Sequence, residues 1–241
     1  MAKINLSKPI IKLYKPDSNV KLFSLKIPEN KAGELNINIR PDEDGYGYRY
    51  ITELKNKYNK VLGFEKFAMF EDSDKISGLY ISVNPEYRRQ NYFLGEILRL
   101  TSLIEMLENK VKELKITSKS SAIFFHSKYK FKPDITSFKE RDMLLKTVLE
   151  DKNPKVSDIS DKAKKLIDNI NQTKSSKEQR EFCKMANQIL EEYISKILAD
   201  KNAQRPDFNW TMDMVLKNTT LQKNGEFFNK LFEKHGIDYK I

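Results

Sequence analysis

Two adjacent arginines, Arg88 and Arg89, stand where an alternating run gives way to a helical one. Leu79, Ile81 and Val83 alternate with Tyr80 and Ser82, the period of a strand. Asn84 and Pro85 stop it, because proline has no N–H to give a ladder. Phe93, Leu94, Ile97, Leu98, Thr101, Ile104 and Leu107 then recur at helical spacing, which predicts a helix over about 92–109 with one apolar face. The start of a helix presents unpaired amides and the positive end of its dipole, which suit a phosphate. Guanidinium forks match phosphate oxygens in the same way. Spacing alone leaves a second reading open, two solvated arginines on an ordinary loop.

The elements that would position this turn follow from the same patterns. Residues 112–117 alternate again and read as the next strand, so strand, helix and strand form a crossover unit in one sheet. Upstream, 48–55 and 61–71 read as strands joined by the turn sequence 56–60, with 71–75 as the next turn. Residues 20–27 and 35–39 also alternate, punctuated by Pro9, Pro16, Pro28 and Pro41. The acidic, glycine-containing run 42–48 reads as a solvated loop or a receiver for a cationic acceptor. From Ser137 onward the pattern is helical, at 138–149, 158–170, 178–198 and 225–234. Trp210 and the cluster 212–215 read as core of that helical bundle, or as a binding groove, and the break falls near 133–136. The expected domains are therefore 1–134 and 135–241.

Composition bounds the function. The 241 residues are 32% charged and 39% hydrophobic, an ordinary globular make-up. No run approaches a membrane span, and the first residues lack a signal-peptide core. Cys183 is the only cysteine, so an intrachain disulfide and a cysteine metal cage are excluded. These features predict a cytoplasmic protein without a metal site. The net charge is +10, with 24 Lys and Arg against 16 Asp and Glu in residues 1–133. A polyanion would be drawn to that half, although no nucleic-acid recognition motif is present. Walker loops, HExxH and Gly-x-Ser-x-Gly elbows are absent from the sequence.

The run 83–98, V-N-P-E-Y-R-R-Q-N-Y-F-L-G-E-I-L, resembles the cofactor segment of the GNAT superfamily of acetyl-CoA-dependent N-acyltransferases. That family's segment reads roughly V-x-P-x-Y-R-G-x-G-x-G-x-x-L. The run 122–131, A-I-F-F-H-S-K-Y-K-F, resembles its later segment, roughly A-x-x-x-Y-x-x-x-G-F. The two occur in the family's order. The resemblance implies an α+β fold, a GNAT-like mixed β-sheet flanked by helices, here followed by an all-α helical domain. It implies acetyl-CoA as cosubstrate and an amine of unknown identity as acceptor. The alternative is a non-catalytic GNAT-like binding module.

The implied cofactor residues are Ile81, Ser82 and Val83 for the pantetheine arm. Arg88, Arg89, Gln90, Asn91, Tyr92, Phe93, Leu94 and Gly95 are implied for the diphosphate. Where the family has two loop glycines, this chain has Asn91 and Phe93. Asparagine tolerates positive φ; phenylalanine does not, and its bulk would crowd a diphosphate. Lys130 stands at the later segment's glycine. The family's proton-donating tyrosine falls on His126, whose imidazole titrates near neutral pH, with Tyr129 as a second candidate. Packing beside Phe124 and Phe125 is the plainer reading of His126. For the general base, Glu65 and Glu71 are the available carboxylates, and a water relay is the alternative.

Overall fold

The structure is a computed structural model. It describes residues 11–14, 22–28, 30–42, 50–69, 74–88, 90–173 and 175–241. In chain order its strands and helices are β1 (Ile11–Tyr14), β2 (Leu22–Ile27), β3 (Leu35–Pro41), β4 (Tyr50–Asn56), β5 (Val61–Met69), β6 (Lys75–Val83) and α1 (Leu94–Glu108). There follow β7 (Glu113–Ser118), α2 (Ile123–Lys128), β8 (Lys132–Pro133), α3 (Phe138–Glu150), α4 (Ser157–Gln172) and α5 (Ser176–Ala199). The chain closes with β9 (Met212–Lys217), α6 (Asn218–Lys223) and α7 (Gly225–Lys234). The fold is α+β.

Two compact units divide the chain. One lies within Met1–Lys115 and Lys217–Ile241, the other is Ile116–Leu216. The sequence placed the break near 133–136, but the division falls elsewhere for a concrete reason. The residues just before that break pair with a late strand: Lys132 lies opposite Val215, and Pro133 opposite Met214, in an antiparallel register.

In the first unit, β1 to β6 lie side by side in chain order, each antiparallel to its neighbour. Alternation explains why: Leu35, Ile37 and Ile39 are buried while Asn36, Asn38 and Arg40 are not. Helix α1 lies against β4, β5 and β6. The sequence predicts one apolar face for it, yet every residue from Ile97 to Met106 is buried, including Arg99, Thr101, Ser102 and Glu105. Those polar residues form a network instead of facing water.

Glycine is required at one place in this sheet. A Cβ on Gly63 would stand 2.8 Å from the Ser82 carbonyl oxygen and 3.2 Å from Leu98 Cδ1. Gly63 pairs with Val83, so this close approach lies at the end of β6 that feeds the arginine turn. Further along, β6 bulges: Lys66 opposes Tyr80 while Phe67 opposes Gly78, leaving Leu79 as the extra residue.

The second unit is helical, with α3, α4 and α5 in mutual contact. Side chains cap two of these helices. Ser137 accepts from the Glu140 amide, and Ser175 from the Glu178 amide. The cluster 212–215 is strand rather than bundle core, since β9 runs through it and pairs with β8. Its Asp213 is held by Glu140, which accepts from the Asp213 amide at 2.7 Å, and by Thr117 Oγ1 at 2.7 Å.

Candidate active site

The arginine turn is built by short-range bonds from its own residues. Asn84 donates its amide to the Leu62 carbonyl at 2.8 Å and accepts from the Glu86 amide with its side chain. Pro85–Tyr87 then makes one 3-10 turn. Arg88 reaches back, its Nε donating to the Val83 carbonyl at 2.7 Å, so it brackets the end of β6. Gln90 donates to the Glu86 carbonyl. Asn30, from the loop after β2, donates to the Tyr92 carbonyl at 3.4 Å. Arg89 lies outside the described residues.

Backbone conformation is the telling feature of this turn. Asn91 has φ 54° and Phe93 φ 57°, both left-handed. The motif resemblance puts glycine at both, as it does at Arg89. Lys130, at the glycine of the later motif, has φ 66°. A left-handed L-residue costs roughly 1–2 kcal/mol, and Asn bears it best. Asn91, Phe93 and Lys130 thus hold, without glycine, the conformation that glycine adopts most readily.

Phe93 is the residue before α1, at its N-cap, and makes no side-chain capping bond. Leu94, Gly95 and Glu96 are the first three helical residues, and the first turn-to-turn bond runs from the Ile97 amide to the Phe93 carbonyl at 3.0 Å. The helix therefore begins with uncapped amides and the positive end of its dipole. Phe93 is 42% exposed. Its ring lies 5.7 Å from that of His235, and Lys234 Nζ stands 4.2 Å from its centroid. The crowding expected of this side chain is thus met by ring contacts to the end of α7. Ile81, Ser82 and Val83 are half-buried along β6, and Arg88, Gln90 and Asn91 are exposed beside them.

Glu65 belongs to a sealed polar network under α1. It pairs with Arg99 Nη1 at 3.3 Å and accepts from Ser102 Oγ at 2.5 Å. Glu105 lies in the same layer and accepts from Thr52 Oγ1 at 3.4 Å; its Oε2 has no partner among the described residues. Burial raises both carboxyl groups above their usual range. Glu105 is raised furthest, because the neighbouring Glu65 adds to the burial. Arg99 pairs with Glu65, and its charge lowers both carboxyl groups part of the way back. Glu65 is 1% exposed. Glu71 lies outside the described residues.

In the second unit, His126 is 8% exposed, edge-on to Phe125 at 5.1 Å and to Phe131 at 5.8 Å. Tyr129 is 4% exposed with its ring 5.0 Å from that of Phe125. Helix α2 ends there: the Tyr129 and Phe131 amides both donate to the His126 carbonyl, and Lys130 takes the left-handed position. Trp210 is not bundle core. It is half-buried in a cavity of about 440 Å³ that Lys119, Ser120, Ser121, Asn209 and Thr211 also line, and Lys139 Nζ lies 5.2 Å from its ring.

No protein-family model matches the chain, and no curated protein matches it. Several solved acetyltransferase structures resemble part of it. The PaiA N-acetyltransferase of Thermoplasma acidophilum, in complex with coenzyme A, is 20% identical at a TM-score of 0.32; the match covers 36% of this chain and 54% of that one. A GNAT-family acetyltransferase of Staphylococcus aureus is 17% identical at 0.32, over 36% of this chain and 54% of its own. A GNAT-family acetyltransferase of Elizabethkingia anophelis, with acetyl-CoA bound, is 14% identical at 0.35, over 43% and 82%. This chain spans about half the length of the first two. The resemblance is to the fold of part of the chain.

Sequence reasoning missed Lys234, His235, Glu96 and Asn30 as neighbours of the turn. Lys234 and His235 stand about 140 residues downstream of the helix they touch, and no local pattern connects them.

Proposed function

We propose that this protein is a coenzyme A-dependent N-acyltransferase that moves an acetyl or related acyl group onto an amine. The observation that carries this reading is the left-handed backbone of Asn91, Phe93 and Lys130. Strain of this kind clusters at functional sites, and here it falls at three of the four positions that the two GNAT-like motifs assign to glycine, the fourth, Arg89, lying outside the described residues. The residues present fit a diphosphate: a left-handed turn, an uncapped helix start and the exposed Arg88. Arg88, Arg89 and the amides of residues 90–95 would hold the phosphates, and the backbone of Ile81, Ser82 and Val83 the pantetheine arm.

In the reaction the amine nitrogen bonds to the thioester carbonyl carbon and the C–S bond breaks. The amine loses a proton and the departing sulfur gains one. His126 is the proposed donor to sulfur, with Tyr129 as its alternate. The burial of Glu65 favours a water relay, rather than a carboxylate, for the amine's proton. The acceptor class is open.

Thermal unfolding with and without acetyl-CoA is the first test. At a ligand concentration about a hundred times Kd, linkage stabilises the native state by roughly 2.7 kcal/mol. Release of free thiol on adding a panel of amines is the second. No melting shift, with no heat of binding, would overturn the reading. Binding without thiol release would favour the non-catalytic module, a reading to which the burial of His126 and Tyr129 lends weight.

A further inference from the structure

We infer that the C-terminal helix α7 positions the turn ahead of α1, with Lys234 and His235 acting as a clamp on Phe93 and Glu96. The inference rests on the proposed function for its purpose, though its geometry stands apart from it. All four residues belong to the first unit.

Glu96 occupies the third position of α1 and is 13% exposed. A bare carboxylate there would oppose any phosphate arriving at the helix start, because both compete for the same positive end. A lysine and an imidazole meet it. Lys234 Nζ bonds Glu96 Oε1 at 2.8 Å, and His235 Nε2 lies 2.5 Å from the same oxygen. The same lysine and imidazole also take the Phe93 ring, so one pair of side chains both engages the acid, the lysine offsetting its charge, and holds the left-handed residue beside it.

The pair is itself fixed. The His235 amide donates to the Phe232 carbonyl at 3.1 Å, and the Ile237 amide to the same oxygen at 2.9 Å. Gly236 between them has φ 65°, the left-handed residue that ends a helix cleanly. Past it, Tyr239 Oη donates to Glu108 Oε1 at 3.0 Å, at the far end of α1. The tail therefore runs the length of α1, about 18 Å from Glu96 to Glu108 at helical rise. What glycine would allow at position 93 is here imposed from outside, by the end of α7 and a tail tied to the far end of α1.

The test has a ligand-free arm and a ligand arm. In the first, Phe93→Leu, Lys234→Ala and the double variant are unfolded by urea without ligand. A clamp predicts non-additive losses, since the two residues share one contact. In the second, coenzyme A binding and KM are measured for Lys234→Ala alone and combined with Glu96→Gln. Lys234→Ala is expected to weaken binding roughly three- to tenfold and to raise KM with kcat retained. Adding Glu96→Gln should restore binding, which loss of packing alone would not do. Additive stabilities would overturn the clamp whatever coenzyme A does. Weakened binding that Glu96→Gln fails to rescue would overturn its electrostatic role. If the wild-type chain binds no coenzyme A, the proposed function falls and the ligand-free cycle alone decides the clamp.

Discussion

Asn91 and Phe93 share a conformation but not its cost. Asparagine is among the few side chains that adopt the left-handed region readily. Asn91→Ala is therefore expected to lose about 1 kcal/mol in chemical denaturation, and Asn91→Gly to stay within about 0.5 kcal/mol of the wild type. Equal losses in both would mean that the side chain, not the backbone, matters there. Glu105 gives a second prediction. Burial holds its carboxyl well above the ordinary value of 4.5, so the folded chain keeps a proton that the unfolded chain sheds. That contribution is fully present below about pH 4.5 and fades as the pH rises through the raised value. Glu105→Gln should flatten this decline and be more stable than the wild type near pH 8, read by urea unfolding across pH. The roles of Glu65 and Glu105 could not be read from their sequence spacing. The pairing of Glu65 with Arg99, and the placing of Glu105 beside them, depend on how α1 is rotated on the sheet, which spacing alone does not give.

At the scale of elements, the end of β6 carries the geometry of the turn. Gly63 lets β5 pass within contact distance of the Ser82 carbonyl and Leu98. Gly63→Ala is expected to cost about 1–3 kcal/mol, the range of an overpacked core site. It should also weaken coenzyme A binding, because the displaced backbone is that of Ser82 and Val83. An unchanged melting temperature would show that the sheet gives way freely. The strands were legible from alternation: Leu35, Ile37 and Ile39 against Asn36, Asn38 and Arg40 leave little doubt of register. The burial of α1 on all sides was not legible, since it takes in Arg99, Ser102 and Glu105, whose network only the fold assembles. Trp210 and 212–215 were misread for a similar reason. An apolar cluster after long helices reads as bundle core, yet Met214 and Val215 form a strand whose partner lies some eighty residues earlier.

At the scale of the whole molecule, charge and stability follow the compact units rather than the halves of the sequence. The segments of the first unit hold 25 Lys and Arg against 19 Asp and Glu, those of the second 19 against 15. The basic excess is thus shared as +6 and +4, more evenly than the sequence halves implied. No described helix is long and apolar enough to cross a membrane. A fragment of residues 1–134 would lose the groups that bond Glu96, Glu108, Val111 and Lys112. It is expected to melt well below the full chain, or to aggregate, when followed by circular dichroism. A fragment that matched the full chain in melting and in coenzyme A binding would make α6 and α7 dispensable.

Asn218 clasps the turn between α1 and β7, its amide on the Lys112 carbonyl at 2.8 Å and its side chain on that of Val111 at 3.2 Å. During translation, the first unit must wait while about a hundred intervening residues leave the ribosome before that clasp can close. Until then α1 sits half-dressed, and a nascent chain at this stage is the form that chaperones and proteases would meet.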